Sequence, residues 1–251
     1  MSKWDANCRA NDGLYDEPYH NSGTIQKTEI PIIFIEGGIG CGKSTLVKNM
    51  NTFCRKNNLK YLTIEEPVDV WAQIKDENGV NMIEAFYSDQ SKYSFEFQMM
   101  AYISRLQKLQ DAYEKAKQHH YDFIICERSL QTDKNVFCKM LYDEGKINTY
   151  GYQIYNKWFD YFQKNIINIA FVYLQTDFNI CHERIHKRQR SGESNISKEY
   201  LEQNNKYHDN WLLKEENVLI LDGNKDHEEN EELLNDYCKQ IIEHFTTDKL
   251  I

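Results

Sequence analysis

Ile32-Ile33-Phe34-Ile35-Glu36-Gly37-Gly38-Ile39-Gly40-Cys41-Gly42-Lys43-Ser44-Thr45 joins a short apolar run to a glycine-rich turn that closes on Lys-Ser. Residues Gly37 to Ser44 satisfy G-x-x-x-x-G-K-S/T, a pattern that needs glycines because backbone N–H groups must wrap a phosphate closely. Lys43 is expected to reach the β- and γ-phosphates of a nucleotide, and Ser44 to hold Mg²⁺. The apolar run leads in as a strand and residues 45–53 lead out with helical character, which places a helix N-terminus at the phosphate. A glycine-rich turn without a ligand is the plain alternative.

Outward from this loop, β-rich runs at 30–36, 59–65, 121–126, 167–174 and 218–221 alternate with helical patterns at 93–117, 133–142, 150–163, 178–186, 198–213 and 228–245. Such alternation predicts an α/β fold, a central parallel sheet of about five strands flanked by helices. Only three prolines occur in 251 residues, so few helices are interrupted. Residues 1–28 are polar and without period and read as a mobile tail, leaving 29–251 as the expected folded domain.

Apolar residues at 41% and aromatics at 13% supply a core, and a net charge of −9 is the wrong sign for coating nucleic acid or an anionic membrane. The longest apolar run, 30–35, is far short of the roughly 20 residues of a membrane span. Asp5, Asp12, Asp16 and Glu17 do not suit a signal or transit peptide. Seven scattered cysteines with no C-x-x-C pair read as reduced thiols in a cytoplasmic chain.

Two further features admit two readings each. His182-Glu183-Arg184-Ile185-His186 matches the helical zinc pattern H-E-x-x-H, but Arg184, Lys187, Arg188 and Arg190 crowd the same turns and favour phosphate over a metal cation. Cys41, at a helix N-terminus beside Lys43, is either a reactive thiol that ATP would protect or a small residue filling a tight loop.

Three more segments follow in order: Ile64-Glu65-Glu66-Pro67-Val68-Asp69-Val70-Trp71, then Phe95-Glu96-Phe97-Gln98 through Ser104-Arg105, then Cys126-Glu127-Arg128-Ser129. Together with the loop, this array resembles the deoxynucleoside kinase family, more narrowly its deoxycytidine/deoxyguanosine kinase branch, from about residue 32 to the C-terminus. The resemblance implies a P-loop kinase fold with an arginine-rich helical lid at about 184–196, and a homodimer formed by helix packing. It implies transfer of the ATP γ-phosphoryl group to the 5′-hydroxyl of a deoxynucleoside, with ATP and Mg²⁺ as cofactors.

The resemblance also distributes roles. Glu66, ending a strand before a proline, matches the general base, and Glu65 alternates to the opposite face. Glu127 matches the acidic partner of Mg²⁺, and Arg128 the group that holds the acceptor oxygen and orients Glu66. Arg184, Arg188 and Arg190 match lid arginines that neutralise the transferring phosphate. Phe97 and Phe137 match aromatic walls around the base, Gln98 an amide that reads its edge, and Val68, Trp71 and Ile83 the apolar lining. Tyr87 and Glu193 are expected near the sugar 3′-hydroxyl, with Tyr200 following at the family's spacing. Asp222, Gly223 and Asn224 are expected near the donor's base.

Arg105 and Asp133 accompany deoxycytidine and purine acceptors in the family, where thymidine-accepting members carry smaller or apolar residues. Two departures stand out, Val70 before the Trp and the bulky Phe86 before Tyr87, and both are expected to bear on the acceptor pocket. The rivals are a nucleoside-monophosphate kinase and a P-loop switch or adaptor.

Overall fold

A computed structural model describes residues 29–188, 196–226 and 230–246. The five apolar runs form one parallel sheet, β1 Ile32–Glu36, β2 Tyr61–Ile64, β3 Phe123–Glu127, β4 Ile169–Gln175 and β5 Val218–Asp222, in the order β2-β3-β1-β4-β5. Every pairing is parallel, and every residue of β1 and β3 is buried, as expected for central strands covered on both faces. From β1 the chain builds first to one side, β2 and β3, and then to the other, β4 and β5. The carboxyl edge beside β1 is therefore the place where open α/β sheets bind ligands.

The two-residue period of β1 divides the core. Ile32 and Phe34 pack with Ile124, Cys126, Tyr102 and Leu106 on one face, while Ile33 and Ile35 pack with Ile125, Val172, Leu46 and Met50 on the other. Each such side chain, fully buried, contributes about 1.5–3 kcal/mol of transfer free energy. The first face is covered by α4 Gln90–His119, thirty residues long, capped by the Asp89 carboxylate and ended by His120 in the left-handed region. The second is covered by α1 Lys43–Lys56 and α10 Glu231–Thr246.

The remaining helices are α2 Val68–Gln73, α3 Met82–Ser88, α5 Leu130–Thr132, α6 Lys139–Asp143, α7 Thr149–Gln163, α8 Phe178–Arg188 and α9 Lys198–Leu212. Helices α2 and α3 were not anticipated, because six or seven residues are too few to show a helical period. Asn81 starts α3 by accepting from the N–H groups of Ile83 and Glu84. The helix expected over 133–142 starts earlier, at Leu130, and its middle, Asp133–Cys138, is π-helical. Such widened turns are common at functional sites.

Among the described residues no helix is long and apolar enough to cross a membrane. Cys41, Cys54, Cys126, Cys138, Cys181 and Cys238 are free and buried. The expected tail, 1–28, lies outside the described residues, as do Arg190 and Glu193.

Candidate active site

The phosphate loop lies between β1 and α1. Gly42 immediately precedes α1 with φ 104°, and Gly40 has φ 82°, where a Cβ would stand 2.6 Å from the Cys181 carbonyl oxygen. Glycine is therefore required twice, once for conformation and once for close approach to α8. The Lys43 ammonium is buried under the loop and donates to the Gly37 and Gly38 carbonyls at 3.1 and 2.7 Å. Ser44 Oγ donates to Glu127 Oε1 at 2.8 Å. These two hard oxygen donors beside the phosphate cradle suit Mg²⁺, which takes one or two protein oxygens plus substrate phosphates. Cys41 is wholly buried and packs against Gly37, a position that suits a small residue filling a tight loop.

A cavity of about 300 Å³ runs from this loop to an aromatic chamber between α2, α3 and α4. The register that pairs Ile35 with Glu127 brings the ends of β1 and β3 level, so the loop and the Glu127-Arg128 pair emerge side by side. Arg128 is held at φ 65°, an uncommon left-handed conformation for a side-chain-bearing residue, and its N–H donates to the Ile35 carbonyl at 3.0 Å. Strain of this kind costs about 1–3 kcal/mol and persists where the surroundings fix it. Glu36, fully buried, does part of that fixing by accepting from Ser129 N at 2.9 Å and from Thr132 Oγ1.

Midway along the cavity Glu66 meets two guanidinium groups. Arg105 Nη2 lies 2.6 Å and Arg128 Nε 3.3 Å from Glu66 Oε1. Arg105 Nη1 also bonds both oxygens of Asp133 at 3.0 Å. Burial alone would raise the Glu66 carboxyl, but Arg128, Arg105 and Lys43 outweigh it and hold the group at about 2. For Asp133 burial wins, helped by the Glu66 charge and opposed by Arg105, and pushes the carboxyl up to about 7. Glu65, by contrast, is exposed.

Because Glu66 lies below its ordinary value of 4.5 in the folded chain, its ion pairs stabilise the fold above that pH. The contribution is lost as pH falls from 4.5 toward 2. Thermal melts across that interval are expected to show a pH-dependent loss for the wild type that is smaller in Glu66→Gln.

At the far end Phe97 meets Trp71 edge-on at 5.6 Å, and Trp71 donates from Nε1 to Ser104 Oγ at 2.8 Å. Phe86 stacks on Phe97 at 4.4 Å and 13°, so it buttresses the wall from behind and does not intrude on the cavity. Val70, half-buried, packs in the cluster around Trp71 and likewise does not line the cavity. Gln98 is buried with its Oε1 unpartnered while the residue lines the cavity, so its acceptor capacity is unused.

The cavity thus gathers Val68, Trp71, Ile83, Tyr87, Phe97, Gln98, Arg105, Asp133 and Phe137 with Glu66, Arg128, Glu127, Lys43 and Ser44. Arg184 and Arg188 also line it, but Arg184 mainly binds backbone, donating to the carbonyls of Cys41, Gly223 and Lys225 at 3.1, 2.9 and 3.0 Å. It ties α8 to the phosphate loop and to the turn after β5. Asp222, Gly223 and Asn224 do not line the cavity, and of the three Gly223 is joined to it through the Arg184 contact. Tyr200 also stands behind the lining, edge-on to Tyr87 at 6.4 Å.

Ala101 and Lys187 line the cavity without having been expected. Ala101 sits one helical turn from Phe97, and Lys187 lies within the cationic run, so both had a signal in spacing. His182 and His186 face each other on α8 with Nε2 atoms 3.0 Å apart, and among the described residues no group of three metal-ligating side chains includes them.

Comparison with known proteins matches residues 33–246 to the family described as deoxynucleoside kinase. "Deoxycytidine kinase 2" of Gallus gallus is 30% identical over 243 residues, covering 86% of this chain and 90% of that protein. "Deoxycytidine kinase" of Homo sapiens is 29% identical over 249 residues, covering 88% and 94%. "Thymidine kinase 2, mitochondrial" of Homo sapiens is 28% identical over 191 residues, covering 75% and 67%.

Proposed function

Because the chain belongs to the deoxynucleoside kinase family, we propose that its cavity takes deoxycytidine or a purine deoxynucleoside in preference to thymidine, with Glu66 as the base for the 5′-hydroxyl. The chain is an ATP-dependent deoxynucleoside kinase, acting on small nucleosides and nucleotides. The observation that carries the site reading is Glu66 itself, fixed by Arg105 and Arg128 between the phosphate loop and the aromatic chamber.

In the reaction the acceptor O5′ forms a bond to Pγ, the bond from Pγ to the bridging oxygen of ADP breaks, and the hydroxyl proton passes to Glu66. A carboxylate held at about 2 is a weak base, yet it is ionised at neutral pH and accepts the hydroxyl hydrogen bond at once. In a loose phosphoryl transition state the proton leaves late, so alignment counts for more than basicity. Arg128 supplies donors to the same oxygen, while Lys43, Arg188 and Arg190 offset charge on the phosphates. Arg184 holds the loop they act on. Ser44 and Glu127 are the residues that would hold Mg²⁺, which when bound shields the phosphate charge.

For the acceptor, Phe97 and Phe137 supply the walls, Gln98 reads the base edge, and Tyr87 serves the sugar, a role that the family resemblance also gives to Glu193. The Arg105–Asp133 pair, held by two hydrogen bonds, is the feature that would exclude a 5-methyl group.

ADP release measured with Mg-ATP and each of dC, dG, dA, dT and dCMP tests this reading. Turnover with dC or a purine deoxynucleoside but not dT is expected. A preference for dCMP would favour a monophosphate kinase, and no acceptor dependence would favour a nucleotide switch.

We also propose a homodimer. Tyr150, Ile154, Trp158 and Tyr161 form an exposed stripe along α7, with Tyr150 80% exposed, and Ile103 of the neighbouring α4 is also exposed. Apolar side chains at this helical spacing, opposite the buried Tyr155 and Phe159, suit a second copy of the same face. Trp158→Glu with Tyr150→Glu is expected to give a monomer by sedimentation while the isolated fold keeps its melting cooperativity. The buried, unpaired thiols fit a reducing compartment such as the cytoplasm.

A further inference from the structure

We infer that His208 is a positioning residue for phosphoryl transfer: from the inner face of α9 it holds the Arg128 guanidinium in the orientation that serves Glu66 and the acceptor oxygen. The inference rests on the role proposed above for Arg128 and adds a group that touches neither substrate nor nucleotide.

The geometry determines the histidine's tautomer from both sides. His208 is completely buried, and its Nδ1 lies 2.8 Å from the Asn204 carbonyl oxygen, which can only accept. Nδ1 therefore carries the hydrogen, and Nε2 is left as an acceptor. Facing Nε2 at 3.4 Å is Arg128 Nη1, which can only donate. The two contacts agree with one neutral ring and with no other protonation state. Burial, then the nearby Arg128 and Lys43 charges, push the imidazole well below its ordinary value, against the pull of the Asn204 hydrogen bond.

Ring packing fixes the imidazole plane in turn. Tyr173 of β4 stacks parallel to it at 6.3 Å, and Phe137 meets it edge-on at 6.4 Å. Phe137 also lies beneath the Arg128 guanidinium at 5.0 Å. Arg128 is thus held by Glu66 through Nε, by His208 through Nη1, by Phe137 across its face, and by its own left-handed backbone. Without the His208 acceptor, one buried donor of the fork loses its partner, and the guanidinium has a reason to turn away from Glu66. Misplacement by about 1 Å at such a group can cost up to about a hundredfold in rate.

Steady-state kinetics with the best deoxynucleoside acceptor, together with thermal melts, test this in His208→Leu, His208→Gln, Arg128→Lys and the Arg128→Lys/His208→Leu pair. His208→Leu, which removes the acceptor, is expected to lower kcat about tenfold to a hundredfold with acceptor KM changed less than about threefold. His208→Gln, whose Oε1 can accept from Arg128, should recover most of that loss. In the Arg128→Lys background, the further loss on adding His208→Leu should nearly vanish, because both changes act on one guanidinium.

Equal damage from Leu and Gln in folded protein, or losses that multiply in the pair, would overturn the positioning role. Normal kcat in His208→Leu with impaired Arg128→Lys would sink His208 alone, whereas normal kcat in Arg128→Lys would sink the Arg128 assignment beneath it. If His208→Leu does not fold, His208→Asn, too short to reach Arg128, replaces it with the same expectation.

Discussion

Glu66→Gln lowers kcat by about 10²–10⁴-fold and leaves the acceptor KM nearly unchanged, the result expected if this carboxylate takes the 5′-hydroxyl proton. The amide keeps the shape of the side chain and one acceptor oxygen, so the nucleoside still docks. What disappears is the negative charge that orients Arg105 and Arg128 and the site that receives the proton. The fold should survive, since Arg105 keeps its two contacts to Asp133 and that carboxylate loses a repelling neighbour. A tenfold rise in KM with normal kcat would instead make Glu66 a binding group.

The second large effect concerns acceptor choice. Arg105→Met combined with Asp133→Ala is expected to admit thymidine, measured as a rise of at least about tenfold in kcat/KM for dT relative to dC. The order of changes matters. Arg105→Met alone takes away the cation that Asp133 and Glu66 share, leaving Glu66 to Arg128 and Asp133 without its partner, and breaking a buried pair costs about 3–5 kcal/mol. Removing Asp133 as well relieves part of that cost, so the double variant should melt higher than the Arg105 single variant. Continued rejection of thymidine by a folded double variant would assign specificity to the walls around Phe97, where Phe86 is the first residue to test.

Much of this was legible in the sequence, and for identifiable reasons. The strands announced themselves as unbroken apolar runs because a parallel sheet buries both faces, and β1 and β3 do so throughout. The phosphate loop was legible because glycine is demanded there by sterics. The residues expected around an acceptor came from the ordered array of motifs, and one cavity brings most of them together.

What escaped the sequence depends on contacts between distant segments. Nothing in the run around Arg184 distinguishes a guanidinium that clasps three backbone carbonyls from one aimed at a phosphate. Phe86 looked like an intruder because sequence order does not reveal that it lies behind Phe97. His208 carried no local signal, since its partner Arg128 is brought to it only by the packing of α9 on the Asp133–Cys138 stretch.

That π-helical stretch makes chain length itself a functional variable. An α-helix advances about 100° per residue, and a π turn accommodates an extra residue within the helical run. Asp133 and Phe137 reach the same cavity from within the widened turns. Deleting one residue between them would let the segment relax toward α-helix and rotate Phe137 against the carboxylate that pairs with Arg105, with every side-chain type still present. In this segment, substitution is therefore a gentler change than any shift in residue count, and related chains that share this cavity should keep its length before they keep its composition.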